Sequence, residues 1–157
     1  MKILIVYFSR TGMTKKVAEE LKNKLGADIE EITDPTDRRG VLGYFKCGKE
    51  AMQKISAPIN PIKSDFNVYD LVIVGTPVWG WNICSPIRGL MVKYGQVMKK
   101  IAVFCTQGGS GAEIAVKTIE ELSGKKTIAS VAINNKEMQS AGFDKILNDF
   151  VEKVTMK

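Results

Sequence analysis

The stretch MKILIVYFSRTGMTKKVAEEL (1–21) decides the fold of this chain. Ile3-Leu4-Ile5-Val6-Tyr7-Phe8 is an apolar run of strand length with no polar alternation, as expected of a strand covered on both faces. It stops at Ser9-Arg10-Thr11-Gly12-Met13-Thr14, a turn with three hydroxyls and one glycine in six residues. Beyond it Val17, Leu21 and Leu25 recur at i, i+4 and i+8, a helical period closed by Gly26. One hydroxyl is enough to cap a helix, so three on one turn exceed what capping requires. A helix amino terminus carries roughly half a positive charge and presents free N–H groups. The turn therefore reads as an anion site. Gly12 lets the backbone approach closely, Ser9, Thr11 and Thr14 add hydroxyl donors, and Arg10 adds charge.

That site is not a nucleotide-hydrolysing loop, because no G-K-[ST] is present, and it lacks the G-x-G-x-x-G of a dinucleotide fold. A phosphate held by hydroxyls and amides, with no lysine and no magnesium ligand, suits a phosphomonoester that is retained rather than transferred.

Further along, Leu71-Val72-Ile73-Val74-Gly75, Ile101-Ala102-Val103-Phe104-Cys105 and Ile128-Ala129-Ser130-Val131-Ala132-Ile133 repeat the buried-strand pattern. Ala27 to Ile32 mixes apolar and acidic residues and reads as an edge strand. Helical periods separate these runs: Ala115, Ile119 and Leu122, closed by Gly124; Pro86 followed by Ile87, Leu90, Met91 and Tyr94; and Phe143, Ile146, Leu147, Phe150, Val151 and Val154. Alternation of this kind predicts an α/β fold, a three-layer doubly wound parallel sheet with right-handed crossovers. One domain is expected over 1–157, with an atypical helical insertion at about 36–60. Within it a helix is predicted from about Val41 to Ile55, packing through Tyr44, Gly48, Ala51 and Ile55.

Composition narrows the function classes. The formal net charge is +6, yet the lysines are spread along helices and paired with Glu, as on solvated faces. Nucleic acid is not expected as a partner. There is no histidine, and Cys47, Cys84 and Cys105 form no C-x-x-C, so a zinc site is disfavoured and three reduced thiols are expected. No apolar stretch approaches the roughly 20 residues of a membrane span. The first residues enter a strand pattern with no signal-peptide h-region, so membrane insertion is not expected and the location is read as cytoplasmic.

In an open parallel sheet ligands bind beyond the carboxyl ends of the strands, where strand order reverses. Two more loops follow such ends. In GTPVWGWNICSP (75–86) both tryptophans of the chain flank Gly80. Either is readable as a core aromatic, but together they suit stacking on a flat ring. CTQGGSGAE (105–113) is rich in glycine and backbone donors. A phosphate socket, an aromatic wall and an amide-rich floor describe a site for a mononucleotide with a large planar ring.

These three segments resemble the flavodoxin-like family. YFSRTGMTKKVAEEL has the hydroxyl-x-Thr-Gly-x-Thr pattern of its phosphate loop, and LVIVGTPVWGWNICSP and IAVFCTQGGSGAE are similar to its two ring-contacting loops. The resemblance implies five strands in the order 2-1-3-4-5 and non-covalent FMN. Ser9, Arg10, Thr11, Gly12, Met13 and Thr14 would then hold the phosphate. Thr76, Pro77, Val78, Trp79, Gly80 and Trp81 would line the ring, Trp79 against one face and Gly80 where the family has a peptide that can rotate. Thr106, Gln107, Gly108 and Gly109 would reach its pyrimidine end. No catalytic side chain is required.

Two departures stand out. Gly108-Gly109 offers no aromatic cover for the outer ring face, and the chain is basic where electron-carrying flavodoxins are acidic. The expected function is electron transfer between redox partners. The alternative is an NAD(P)H-dependent FMN reductase passing two electrons to a quinone or other small acceptor. Redox proteins, or a small donor or acceptor, are the expected partners, with Arg38 and Arg39 meeting an acidic partner or a carboxylate. A phospho-receiver module needs acids after the first strand and an Asp after the third; Ser9-Arg10 and Thr76-Pro77 stand there instead.

Overall fold

The computed structural model describes residues 1–156. The elements run β1 (Ile3–Tyr7), α1 (Met13–Leu25), β2 (Asp28–Glu31), α2 (Gly40–Met52), β3 (Leu71–Trp79), β4 (Asn82–Ile83), α3 (Ser85–Tyr94), β5 (Ile101–Gln107), α4 (Ala112–Ser123), β6 (Ser130–Asn134), α5 (Asn135–Met138) and α6 (Phe143–Thr155). The parallel strands lie in the order β2-β1-β3-β5-β6. Counted without the two-residue β4, that is the expected 2-1-3-4-5.

Period-two alternation within the apolar runs divides the core between the two faces of the sheet. Ile3, Ile5, Tyr7, Ile73 and Phe104 pack with Val17, Ala18 and Leu21 of α1 and with Leu147, Phe150 and Val154 of α6. Leu4, Val6, Val72, Val74 and Val103 pack with Ile87, Leu90 and Met91 of α3 and with Ala112, Ala115 and Ile119 of α4. β2 lies at one edge of the sheet and is only half-buried, as its acidic alternation predicts. Gly26 and Gly124 end α1 and α4 in the left-handed conformation. Proline stands in the first turn of α3.

Three local features differ from the reading of the sequence. The segment after Gly75 is not a loop: β3 runs through Trp79, turns at Gly80-Trp81 and pairs back antiparallel as β4, Trp79 opposite Asn82. The last helix is preceded by the short α5, which Asn134 and Glu137 start with a reciprocal capping box. Helix α2 ends at Met52 and turns Gly43, Cys47 and Ala51 inward, whereas Tyr44 and Ile55 are exposed. The small residues form its contact stripe because the helix lies close to the chain beneath it.

That close contact is organised by Arg38. Its guanidinium is buried and pairs with Asp34 at 2.7 Å and with Glu50 at 2.7 Å. It also donates to Ser85 Oγ at 3.1 Å, lies 3.6 Å from Cys47 Sγ, and sits 5.6 Å from the centre of the Trp79 ring. One side chain thus joins the loop after β2, α2, the start of α3 and the end of β3. The expectation that Arg38 meets an outside partner is corrected here: its bonds are spent internally, while the exposed Arg39 pairs with Asp37 at 3.0 Å. A second buried guanidinium, Arg88 on α3, has no hydrogen-bond partner for Nε or Nη2 among the described residues, and nothing in the structure explains it.

Burial alone would push the Glu50 carboxyl up, but the Ser85 hydroxyl and Arg38 outweigh it and hold it below the ordinary glutamate range. Its contribution to stability is therefore complete above the usual value of roughly 4.3 and is lost as pH falls through the depressed one. Arg38→Met, which leaves Asp34 and Glu50 facing each other without a cation, is expected to cost about 3–5 kcal/mol in urea unfolding at neutral pH. Glu50→Gln is expected to flatten the acid limb of the stability–pH curve; a limb as steep as in the parent protein would contradict the assignment.

Candidate functional site

At the carboxyl ends of β1, β3, β5 and β6 the loops enclose a cavity of about 870 Å³, large for a small-molecule site. Its walls are Arg10, Thr11, Met13 and Thr14 from the first loop, Pro77 to Trp81 from the hairpin, and Thr106 to Ser110 after β5. Asn135, at the start of α5, Tyr44, Phe45, Cys47, Gly48, Lys49 and Met52 of α2, and Gln53 just after it complete the lining.

The amino end of α1 is left open. Gly12 precedes the helix with φ 96°, a left-handed value that a side chain would strain. No side chain caps the helix and no acid stands in its first turn, so first-turn N–H groups without intrahelical partners remain available. Ser9 is turned within the loop, its Oγ accepting the Gly12 N–H at 3.1 Å. The Thr14 and Thr106 hydroxyls are buried 2.8 Å apart and tie this loop to the one after β5.

Arg10 does something the sequence does not disclose. Its Nε donates to the Arg38 carbonyl at 2.8 Å and its Nη2 to the Gly40 carbonyl at 2.9 Å. The guanidinium also stands 5.8 Å from the centre of the Tyr44 ring. Arg10 thereby fastens the start of α2 to the first loop while keeping its charge at the cavity wall.

The hairpin presents the second wall. Gly80 and Trp81 both have positive φ, 52° and 61°, the pattern of a two-residue type I′ turn. A tryptophan in that conformation is strained by about 1–2 kcal/mol, and such strain concentrates at functional sites. A Cβ at Gly80 would stand 2.6 Å from Met52 Cγ and 3.0 Å from the Gly48 carbonyl, so α2 rests directly on the turn. Trp79 packs edge-on against Phe8, ring centres 5.5 Å apart, and so is half core and half wall. Trp81 is 58% exposed at the mouth.

Of the sixteen candidate residues, thirteen line this cavity; Ser9, Gly12 and Thr76 do not. Ser9 instead faces a neighbouring cavity of about 390 Å³ beside Thr33, Asp34 and Thr36. Thr76 is fully buried, where its Oγ1 accepts the Cys84 N–H at 3.3 Å and donates to the Pro77 carbonyl, bracing the hairpin against α3. Gln107 turns its Oε1 to the Ala112 N–H at 3.2 Å, capping α4. None of the wall residues from α2 is among the sixteen candidates. A signal existed: Tyr44, Phe45, Met52 and Ile55 are more apolar than a solvated helix face needs.

Cys47, Cys84 and Cys105 are free and buried, and burial pushes the Cys84 and Cys105 thiols up to about 12. What the site can do is hold a flat anionic ligand. Gly48, Gly108 and Gly109 of the cavity wall, and Gly12 beside it, would each carry a Cβ without meeting any atom within 4 Å, so their backbone is open to close approach by a ring or phosphate.

Comparison with known proteins agrees with this geometry. A family model described as flavodoxin matches residues 2–154. No curated protein matches the sequence significantly. Among solved structures, the chain is similar to a flavoprotein in complex with FMN from Lactobacillus acidophilus NCFM, with 24% identity, 88% of this chain and 96% of that one covered, and TM-score 0.73. It is similar to oxidised flavodoxin 1 from Bacillus cereus at 16% identity, 99% and 98% coverage and TM-score 0.56. Two-electron reduced Megasphaera elsdenii flavodoxin gives 19%, 94%, 96% and 0.55 in the same order. At these identities the structures speak for the fold, and the family match spans nearly the whole sequence. The chain belongs to the flavodoxin family.

Proposed function

We propose that the chain binds FMN non-covalently and serves electron transfer between redox partners. The observation that carries this reading is the uncapped amino terminus of α1 opening into a cavity with aromatic walls. The phosphate would lie at Thr11 to Thr14, held by first-turn N–H groups and the Thr11 hydroxyl, with Arg10 nearby as a fixed positive charge. The ring would lie between the hairpin Pro77–Trp81 and the aromatic pair Tyr44 and Phe45, its pyrimidine end against the backbone of Thr106 to Gly109. FMN bound there would supply a ring that takes up and returns electrons; the protein would orient it and exclude water.

Helix α2 changes the expectation of an uncovered outer face. The loop after β5 brings no aromatic, but Tyr44 and Phe45, in edge contact at 5.9 Å, stand on the wall of the same cavity. Arg10, hydrogen-bonded to the start of α2, would couple phosphate binding to placement of that wall.

Tyr44→Ala is expected to weaken FMN binding by about 3- to 10-fold, the worth of one aromatic contact, measured by quenching of flavin fluorescence. The carrier and reductase readings separate on anaerobic addition of NADH or NADPH to the FMN-loaded protein. An electron carrier keeps its yellow absorbance over minutes with either nucleotide. Rapid bleaching without a partner protein would establish the reductase instead.

A further inference from the structure

Helix α2 buries only Gly43, Cys47 and Ala51. Its other apolar side chains are exposed: Leu42 is 86% exposed and Val41 71%, and Phe45, at 67%, and Met52, at 63%, stand at the open cavity wall. Single exposed apolar residues are ordinary; several on one short helix, continuous with Trp81 across the cavity mouth, form a patch of the kind that marks an interaction surface. The exposed charges along the helix and its carboxyl-terminal turn have one sign. Lys46, Lys49 and Lys54 are exposed, and Glu50, the one acid between Gly40 and Ile55, is turned inward onto Arg38 and Ser85.

We propose that this face docks an acidic electron-carrier protein, one whose redox centre lies beneath an apolar patch ringed by carboxylates. The inference rests on the FMN reading and adds a partner to it. Apolar centre meets apolar centre, lysines meet carboxylates at the rim, and encounter is electrostatically steered. Because α2 is itself a wall of the cavity, a protein seated on it stands beside the bound ring. A second copy of this chain fits poorly, since a two-fold contact through α2 brings lysine rim to lysine rim. An anionic bilayer fits poorly as well: three lysines contribute about 3 kcal/mol and fall short of the four to eight cations of a membrane-binding cluster.

The test titrates the FMN-loaded protein with an acidic [2Fe–2S] ferredoxin by calorimetry, at low and at high salt, with basic cytochrome c as the reverse-charge control. Binding of the ferredoxin, weakened by salt, is expected, with none of comparable strength for cytochrome c. K46E/K54E is expected to lower the affinity about tenfold or more, and Leu42→Ser to weaken it separately. K93E/K153E makes the same charge change in the last turns of α3 and α6 and is expected to leave affinity within about twofold. Equal effects of the two double variants, or no ferredoxin binding, overturn the proposal. So does a dimer that K46E/K54E dissociates, or binding to phosphatidylserine vesicles that K46E/K54E abolishes. FMN content is measured on every variant. A protein that keeps FMN while ignoring K46E/K54E loses only this partner, whereas one that never retains FMN loses the underlying reading.

Discussion

The amino end of α1 must leave its first N–H groups without helical partners, and the sheet places that end level with the carboxyl ends of β1, β3 and β5. Everything proposed for the site follows from how this chain treats those groups. It adds no capping side chain and no acid to the first turn, opens the turn with a left-handed glycine, and buries Thr14 against Thr106 so that two loops hold one position. Those donors open onto a cavity with aromatic walls, and an anion with an apolar body answers both features.

A second constraint sets the shape of the cavity. Arg38 gathers Asp34, Glu50 and Ser85 around one guanidinium, and Arg10 grips the chain at Arg38 and Gly40. Together they fix α2 over the Gly80 turn, where the lack of a side chain at Gly80 lets the helix come down onto the hairpin. An inserted helix thus supplies aromatic wall where the loop after β5 is bare glycine. The same helix has a narrow inner stripe and a wide apolar exterior, so its inner contacts and its outer face serve different ends.

The sheet was legible in the sequence because burial on both faces leaves an unmistakable mark: Ile3 to Phe8 and Ile101 to Cys105 are apolar at every position, and alternation then assigns each residue to a face. The first loop was legible because its hydroxyls outnumber any capping need. The orientation of α2 was not. Hydrophobicity marked Tyr44 and Ile55 as packing residues, yet a large apolar side chain faces a cavity or a partner as readily as a core, and the true stripe of Gly43, Cys47 and Ala51 is made of small residues whose value is close approach. Arg38 reads as a surface charge from composition; only its i,i+4 spacing from Asp34 hints at an ion pair, and Glu50 and Ser85 join it through tertiary structure alone. The hairpin was hidden for another reason: Gly80-Trp81 puts a tryptophan at positive φ, a choice that turn preferences would not make.

The central claim is that the phosphate end of a flavin is gripped at α1. Comparing the affinities of FMN and riboflavin for the same apoprotein, by quenching of flavin fluorescence, tests it most directly. Loss of the phosphate removes several charge-assisted hydrogen bonds, each worth about 1.5–3 kcal/mol, so riboflavin should bind at least about 100-fold more weakly than FMN. Equal affinities, or no binding of FMN at all, would contradict the account.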